Sequence, residues 1–195
     1  MRAAASPAGV ELVVLLDEHG RATGTADKRT VHHADTPLHL AFSCYLFDDD
    51  GRVLLTRRAL HKRTFPGVWT NACCGHPGPG EEMEDAVRRR VLQELGTRVH
   101  DLRLLLPAFR YRAEAGGVVE NEMCPVFAGV VRDALVPDPE EVADAVWEPW
   151  APFRAAVLDG SREVSAWCRE QVLELPADPA AAPAASAGDL PPAAR

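Results

Sequence analysis

The segment Asn71-Ala72-Cys73-Cys74-Gly75-His76-Pro77-Gly78-Pro79-Gly80-Glu81, and the periodic run that continues it to Leu95, decide how the rest of the chain is read. Met83, Val87, Val91 and Leu95 repeat every four residues. Ala86 and Leu92 widen the apolar stripe, and Gly96 stands where a helix stops. A helix over Glu81 to Leu95 is therefore expected, preceded by a glycine-rich loop that holds two thiols and an imidazole. The loop has two readings. It is a turn leading a strand into a helix, or it is a site at a helix N-terminus, where free N–H groups and the helix dipole favour anions and lower a thiol's pKa.

Outward from this segment the pattern is mostly strand. Leu12 to Leu16 is a short apolar strand closed by Asp17-Glu18-His19-Gly20. Leu38 to Phe47 reads as one long strand, and Asp48-Asp49-Asp50-Gly51 turns it back into Arg52 to Thr56. Leu102 to Ala113 and Val118 to Val131 read as two strands joined through Ala115-Gly116-Gly117, and Ala143 to Trp147 as another. Ala151 to Leu158 and Val164 to Leu175 read as helices. Strands on both sides of one strong helix predict an α/β protein, a mixed β-sheet sandwich with flanking helices. Residues 1–9 and 176–195 are Ala-rich, contain Pro and lack a periodic apolar face. They are expected to be disordered around one folded domain of residues 10–175.

The chain has 195 residues, enough for one sizeable core and too few for two ordinary domains. Its 29 Asp and Glu against 21 Lys and Arg leave a formal net charge of −8. That balance is poor for gripping nucleic acid or an anionic membrane. No run approaches the roughly 20 apolar residues of a membrane span. The first residues do not read as a signal peptide, since Glu11 interrupts the apolar run and Asp17 and Glu18 follow it. Cys44, Cys73, Cys74, Cys124 and Cys168 are odd in number and follow no disulfide-scaffold spacing. They are expected to be reduced thiols of a cytoplasmic protein.

Three further constellations carry chemistry. On a strand, Glu120 and Glu122 share one face, and adjacent carboxylates repel unless a cation or a proton lies between them. Such a pair is most often a solvated face, but the apolar residues on both sides of it here favour a buried pair with a partner. His32 and His39 bracket the start of the second strand, and each alone is weak evidence of a site. With His76 and the two glutamates they offer three nitrogens and at least two oxygens, a donor set suited to octahedral Mg²⁺ or Mn²⁺ rather than tetrahedral zinc. Arg57, Arg58, Lys62 and Arg63 fall close together, with Lys28 and Arg90 elsewhere. A charge run is usually a solvated face; as a local clamp this one fits a phosphate or diphosphate.

Taken in order, several segments resemble the type I isopentenyl-diphosphate isomerases, a branch of the Nudix superfamily. They are His32-His33-Ala34-Asp35-Thr36-Pro37-Leu38-His39-Leu40-Ala41-Phe42-Ser43, Thr56-Arg57-Arg58-Ala59-Leu60, Phe65-Pro66-Gly67-Val68-Trp69-Thr70-Asn71, Cys74-Gly75-His76-Pro77, Phe109-Arg110-Tyr111-Arg112 and Val119-Glu120-Asn121-Glu122-Met123-Cys124-Pro125-Val126-Phe127. The Nudix hydrolase box is visible but degraded. Gly75, Glu81, Arg89, Glu94 and Gly96 fit it, whereas Arg90 replaces the glutamate after Arg89 and Gln93 replaces the first of a Glu-Glu pair. A hydrolase holds its metals on that carboxylate cluster, so the replacements argue against hydrolysis.

The resemblance implies a Nudix-type sandwich and a reaction that moves a double bond between isopentenyl diphosphate and dimethylallyl diphosphate. An unactivated alkene is a very weak base. The site therefore needs a proton donor, an acceptor on the opposite face, and a dry wall that does not trap a tertiary carbocation. The resemblance implies Cys74 and Glu122 as that pair, Tyr111 as a proton carrier beside Glu122, and Trp167 as the π face over the cation. It implies one Mg²⁺ or Mn²⁺ site of His32, His39, His76, Glu120 and Glu122. A second Mg²⁺ would arrive with the diphosphate, held by Glu94 and the Cys74 carbonyl. Lys28, Arg58, Lys62 and Arg90 would clamp the diphosphate; Arg90 and Glu94, four apart on a helix, can reach one pocket. Cys73 lies outside the Cys-Gly-His-Pro context and is expected to pack. His19, His33, His61 and His100 are expected to have no metal role. The expected partner is a small diphosphate, with neither nucleic acid nor membrane, and the chain a monomer or weak dimer. The rival classes are a Nudix hydrolase of a nucleoside diphosphate derivative and a non-catalytic metal-stabilised binding module. The weakened box disfavours the first, and the presence of both Cys74 and Glu122 in their motifs disfavours the second.

Overall fold

The computed structural model describes residues 11–195, so the expectation for residues 1–9 falls outside the described residues. The chain begins with β1 (Leu12–Leu16), β2 (Ala22–Asp27), α1 (Lys28–Val31), β3 (His39–Leu40), β4 (Phe42–Phe47), β5 (Arg52–Arg58), β6 (Trp69–Asn71) and β7 (Cys73–Gly75). It continues through α2 (Met83–Leu95), β8 (His100–Leu106), β9 (Arg110–Ala115), β10 (Val118–Met123), β11 (Val126–Val130), β12 (Val142–Pro149), α3 (Trp150–Asp159) and α4 (Ala166–Glu174). One sheet has the order β2-β1-β3-β10-β9. The other has the order β12-β5-β4-β11-β8, with β6 beside β5 and β7 beside β4. This is the mixed sandwich with flanking helices that the sequence predicts.

Two strands expected to be continuous are each cut in two, and the cuts lie side by side. The 38–47 strand leaves the first sheet after Leu40 and joins the second at Phe42; the 118–131 strand makes the same move across Cys124-Pro125. Pro125 has no N–H to give a ladder, so no regular strand runs through it. The segments cross together in parallel. His39 is registered with Glu122 in the first sheet, and Ser43 with Val126 in the second. Between them Ala41 N donates to Met123 O at 2.9 Å and Ser43 N to Pro125 O at 3.0 Å. The expected strand from Leu102 to Ala113 is divided at Pro107 for the same reason. The sequence pattern missed β2, whose Ala22–Ala26 face is largely exposed, and β6 and β7, which are three residues each.

Helix α2 starts at Met83, with Glu82 as its N-cap, and ends on Gly96. Gly96 has φ 61°, a left-handed conformation that costs glycine nothing, and its N–H closes on Leu92 O. Met83, Ala86, Val87, Val91 and Leu95 pack on Phe42, Cys44, Leu54 and Leu104 in one core. Leu92, expected on that stripe, is 54% exposed. The second core joins Tyr45, Phe47, Leu55, Tyr111, Trp150, Phe153 and Trp167 beneath α3 and α4. No described helix is long and apolar enough to cross a membrane.

The Ala/Pro-rich segment 176–195 departs from the expected disordered tail and lies as an irregular strap on the domain. Trp150 Nε1 donates to Ala177 O at 2.8 Å, and the Arg103 guanidinium donates to the carbonyls of Ala180 and Ala182. Ala185 N donates to Leu104 O at 2.8 Å and Ala193 N to Gly20 O at 3.0 Å. Leu190 is buried in the core that holds Leu16, Leu38 and Leu40. A periodic face is not required when the domain itself supplies the partners. Removing residues 176–195 is expected to lower stability by about 2 kcal/mol, the value of one buried Leu with its accompanying hydrogen bonds. For a domain of this size that is a melting-temperature drop of about 4–8 °C. Calorimetry of the shortened chain checks it, and an unchanged melting temperature would show that the strap contributes nothing.

Candidate active site

A cavity of about 290 Å³ opens where the two sheets, α2 and α4 meet. Lys28, His32, Arg58, Lys62, Cys74, His76, Arg90, Glu94, Tyr111, Glu120, Glu122 and Trp167 all line it. Among the residues expected at the site only His39 does not; it is fully buried, its ring centroid 5.1 Å from those of His32 and His76.

His32 closes α1, His39 lies on β3, His76 follows β7, and Glu122 is on β10. Their ring Nε2 atoms converge on one oxygen, Glu122 Oε1, at 4.0, 3.3 and 3.1 Å respectively. One candidate ligand atom from each of the four lies within 4.8 Å of the others. His39 Nδ1 must donate to Pro37 O at 2.9 Å, because a carbonyl only accepts. In the neutral ring Nε2 therefore carries the lone pair, and it is buried with no hydrogen-bond partner, as is His32 Nε2. Burial pushes His76 down to about 4, against the pull of Glu122, so its ring is neutral and free to ligate at neutral pH. Orphaned imidazole nitrogens around a carboxylate fit a divalent cation. Glu120 stands beside this group rather than in it.

Glu120 and Glu122 do share a face of β10, both buried, as the alternation predicted. Tyr111, registered with Glu122 across β9 and β10, lies with its Oη 2.9 Å from Glu120 Oε2 and 2.8 Å from Glu122 Oε2. The Tyr111 hydroxyl is thus shared between the two carboxylates. Burial, then the charge of Glu122, raises Glu120. Burial also acts to raise Glu122, but the three imidazoles gathered around its Oε1, with His76 Nε2 nearest at 3.1 Å, outweigh it and hold it well below the usual carboxylate range.

Cys73 and Cys74 face opposite ways on β7. Cys73 packs into the core under α2, though the residue also borders the cavity, while Cys74 meets the cavity and the other core. Cys74 Sγ is 3.4 Å from Ser43 Oγ and 3.4 Å from Asn71 Oδ1. Burial pushes its thiol up to about 12, although those hydrogen bonds and the Arg58 charge pull it back. Sequence reasoning missed the buried chain behind it: Gln171 Nε2 donates to Ser43 Oγ at 2.9 Å, and Tyr45 Oη donates to Gln171 Oε1 at 3.0 Å. Asn71 also accepts from Trp167 Nε1 at 3.2 Å. The Trp167 ring is 1% exposed, lies edge to face with Phe65 at 5.1 Å, and has the Arg58 guanidinium 5.8 Å from its centroid.

The basic residues converge on the same cavity, each already engaged. Lys28 Nζ donates to Glu11 Oε2 at 2.7 Å, and Arg58 donates to Thr64 O and Oγ1. Lys62 pairs with Glu141, and Arg90 with Glu94. Gly75 is what admits Arg90: a Cβ there would come within 2.9 Å of Arg90 Cγ and of Phe42 Cζ. Where the hydrolase box has a carboxylate, this chain has a cation that neutralises Glu94. His61 meets Glu140 and His100 meets Asp133 on the surface, far from any ligand cluster.

The chain matches the NUDIX domain family over residues 37–168 and is a member of it. Two solved structures share its fold. DR0079 from Deinococcus radiodurans has a TM-score of 0.65 at 17% identity, over 85% of this chain and 99% of that one. A MutT protein from Methanosarcina mazei has a TM-score of 0.55 at 22% identity, over 71% and 92%. Far nearer in sequence is an isopentenyl-diphosphate Delta-isomerase from Mycolicibacterium vanbaalenii, 66% identical over 163 residues, which cover 83% of this chain and 90% of that protein. Another, from Saccharopolyspora erythraea, is 58% identical over 95% of this chain and 97% of its own length. Within the NUDIX proteins, the chain belongs to the isopentenyl-diphosphate Delta-isomerase family.

Proposed function

We propose that the chain interconverts isopentenyl diphosphate and dimethylallyl diphosphate. The observation that carries this reading is a thiol and a carboxylate, Cys74 and Glu122, reaching one cavity from different sheets. A proton added to the terminal carbon of isopentenyl diphosphate leaves a tertiary cation, and loss of a proton from the neighbouring methylene gives the dimethylallyl isomer. One proton enters and one leaves, so each group of the pair is donor in one direction and acceptor in the other. Cys74 keeps its proton at neutral pH, held in place by Ser43 and Asn71. Tyr111 carries protons between the two carboxylates and fixes their orientation. Trp167 and Tyr111 form an aromatic wall of the cavity, with Phe65 packed edge to face against Trp167, and this wall excludes water from the cation.

Lys28, Arg58, Lys62 and Arg90 bind the diphosphate. His32, His39, His76 and Glu122 would hold Mg²⁺ or Mn²⁺, and Glu120, which stands beside them, would be drawn in as a further ligand; Glu94 and the Cys74 carbonyl would hold a second Mg²⁺ with the substrate. Bound there, the cations supply positive charge that orients Glu122 and neutralises the diphosphate. We read the protein as cytoplasmic, a monomer or weak dimer acting on a small diphosphate. A cavity of about 290 Å³ falls just below the roughly 300–1,000 Å³ common for ligand pockets, which suits a compact substrate. Proton NMR of isopentenyl diphosphate incubated with protein and Mg²⁺ tests the reading. A growing dimethylallyl signal supports it; released phosphate in its place points to the hydrolase.

The Trp167 ring gives a sharper check. A desolvated cation over an indole face is stabilised by about 2 kcal/mol or more, whereas the neutral alkene gains little. The contact therefore belongs to the transition state and is expected in kcat rather than KM. Trp167→Leu is expected to lower kcat by at least about tenfold, with Trp167→Phe between it and wild type. The residue is also core, so the Leu variant is expected to lose about 1–3 kcal/mol of stability and stay folded. A loss confined to KM would make the ring a uniform binding contact, and outright unfolding would make it a packing element.

A further inference from the structure

The four residues Lys62, Arg90, Glu94 and Glu141 form one interleaved group at the cavity edge. Glu141 Oε2 bonds Lys62 Nζ and lies 3.5 Å from Arg90 Nη2, the same nitrogen that bonds Glu94. Glu141 is held there by backbone rather than by chance. Asp138 N donates to Glu94 O at 2.9 Å, Glu141 N to Asp138 O at 2.9 Å, and Ala59 N to Glu141 O at 3.0 Å. Its loop is thus tied both to α2, which carries Arg90, and to the end of β5, just before Lys62. The side chains of Lys62 and Glu141 are each 25% exposed, so the pair is neither free in solvent nor sealed from it.

We propose that Glu141 is a competing carboxylate that limits how tightly the site grips diphosphate. The inference rests on the reading of Lys62 and Arg90 as diphosphate ligands. The group holds two cations and two carboxylates, so a diphosphate oxygen must share Lys62 with Glu141, against the repulsion of that carboxylate, or displace it. The net affinity is a difference between two ion pairs and not the full value of either. Substrate and product carry the same diphosphate. Grip on that group is uniform binding: it lowers KM without speeding chemistry, and beyond a point it slows product departure. A fixed internal anion keeps the grip below that point.

The test is calorimetric titration of inorganic diphosphate into the full chain, loaded with Mn²⁺ and desalted, with and without added Mg²⁺. Glu141→Gln is expected to bind diphosphate about tenfold tighter than wild type without added Mg²⁺. Its KM and kcat for isopentenyl diphosphate are both expected to fall. Glu141→Asp, which keeps the charge but cannot reach as far, is expected to lie between, and it carries the test if the Gln variant fails to fold. Glu140→Gln, an exposed neighbour paired with His61, is expected to match wild type. Unchanged or weaker binding by both Glu141 variants overturns the inference. Weaker binding only in the presence of Mg²⁺ also overturns it, making Glu141 a metal ligand. If wild type binds no diphosphate in either condition, the reading of Lys62 and Arg90 falls with it.

Discussion

Cys74→Ala and Glu122→Gln are each expected to lower turnover of isopentenyl diphosphate by about 10²–10⁴-fold, with the chain still folded. Neither change opens a large void. Cys74 is only half-buried, and its loss leaves the hydrogen bonds among Ser43, Gln171 and Tyr45 in place. Gln at position 122 keeps the shape that Tyr111 meets but cannot take a proton; because Glu122 also belongs to the metal cluster, bound metal is measured beside the rate. Cys73→Ala is the control. Its thiol lies in the apolar core under α2, so the cost is about 1 kcal/mol of stability with turnover retained. Rates for the three purified variants, with melting temperatures beside them, decide the matter. A dead Cys73→Ala and an active Cys74→Ala would falsify the choice between the two thiols.

Complete loss of activity is the expected result of removing the metal. Three ring nitrogens around Glu122 Oε1, two of them buried without a hydrogen-bond partner, are costly to bury unless a cation unites them. Dialysis against a chelator is expected to abolish turnover, and Mg²⁺ or Mn²⁺ to restore it. Elemental analysis adds a readout independent of activity. His76→Ala is expected to lower bound metal strongly, and His61→Ala, whose ring pairs with Glu140 at the surface, hardly at all. Full turnover by exhaustively demetallated protein would remove the metal from the reaction.

Much of this site is legible in the sequence because its chemistry rests on rare residue types in short motifs. Alternation along β10 puts Glu120 and Glu122 on one face, and the Gly-His-Pro context singles out Cys74; that β7 turns Cys73 and Cys74 to opposite sides is not legible, because three residues are too few for a strand pattern. The rest depends on tertiary contact. Glu140 and Glu141 are identical neighbours, and only the hydrogen bonds of their loop to α2 and β5 bring the second to Lys62. Ser43 and Gln171 meet 128 positions apart. The strand breaks at Ala41 and Pro125 are invisible to hydrophobic patterning, since apolar residues continue through both. The strap over residues 176–195 misleads for the opposite reason: its backbone partners come from Trp150, Arg103 and Leu104 rather than from its own repeat.

The paired crossing at Ala41 and Pro125 has a geometric consequence. Cys74 is registered with Ser43 in one sheet, and Glu122 with His39 in the other. The gap an alkene must bridge is therefore a clearance between two frames, gauged by a double joint of one or two residues in each strand. A substitution inside either sheet carries its reacting group along with the neighbours that orient it. A substitution at Ala41 or Pro125, though uncharged and apart from the chemistry, resets the clearance itself. The spacing between the two groups is thus set in part by residues that carry neither of them.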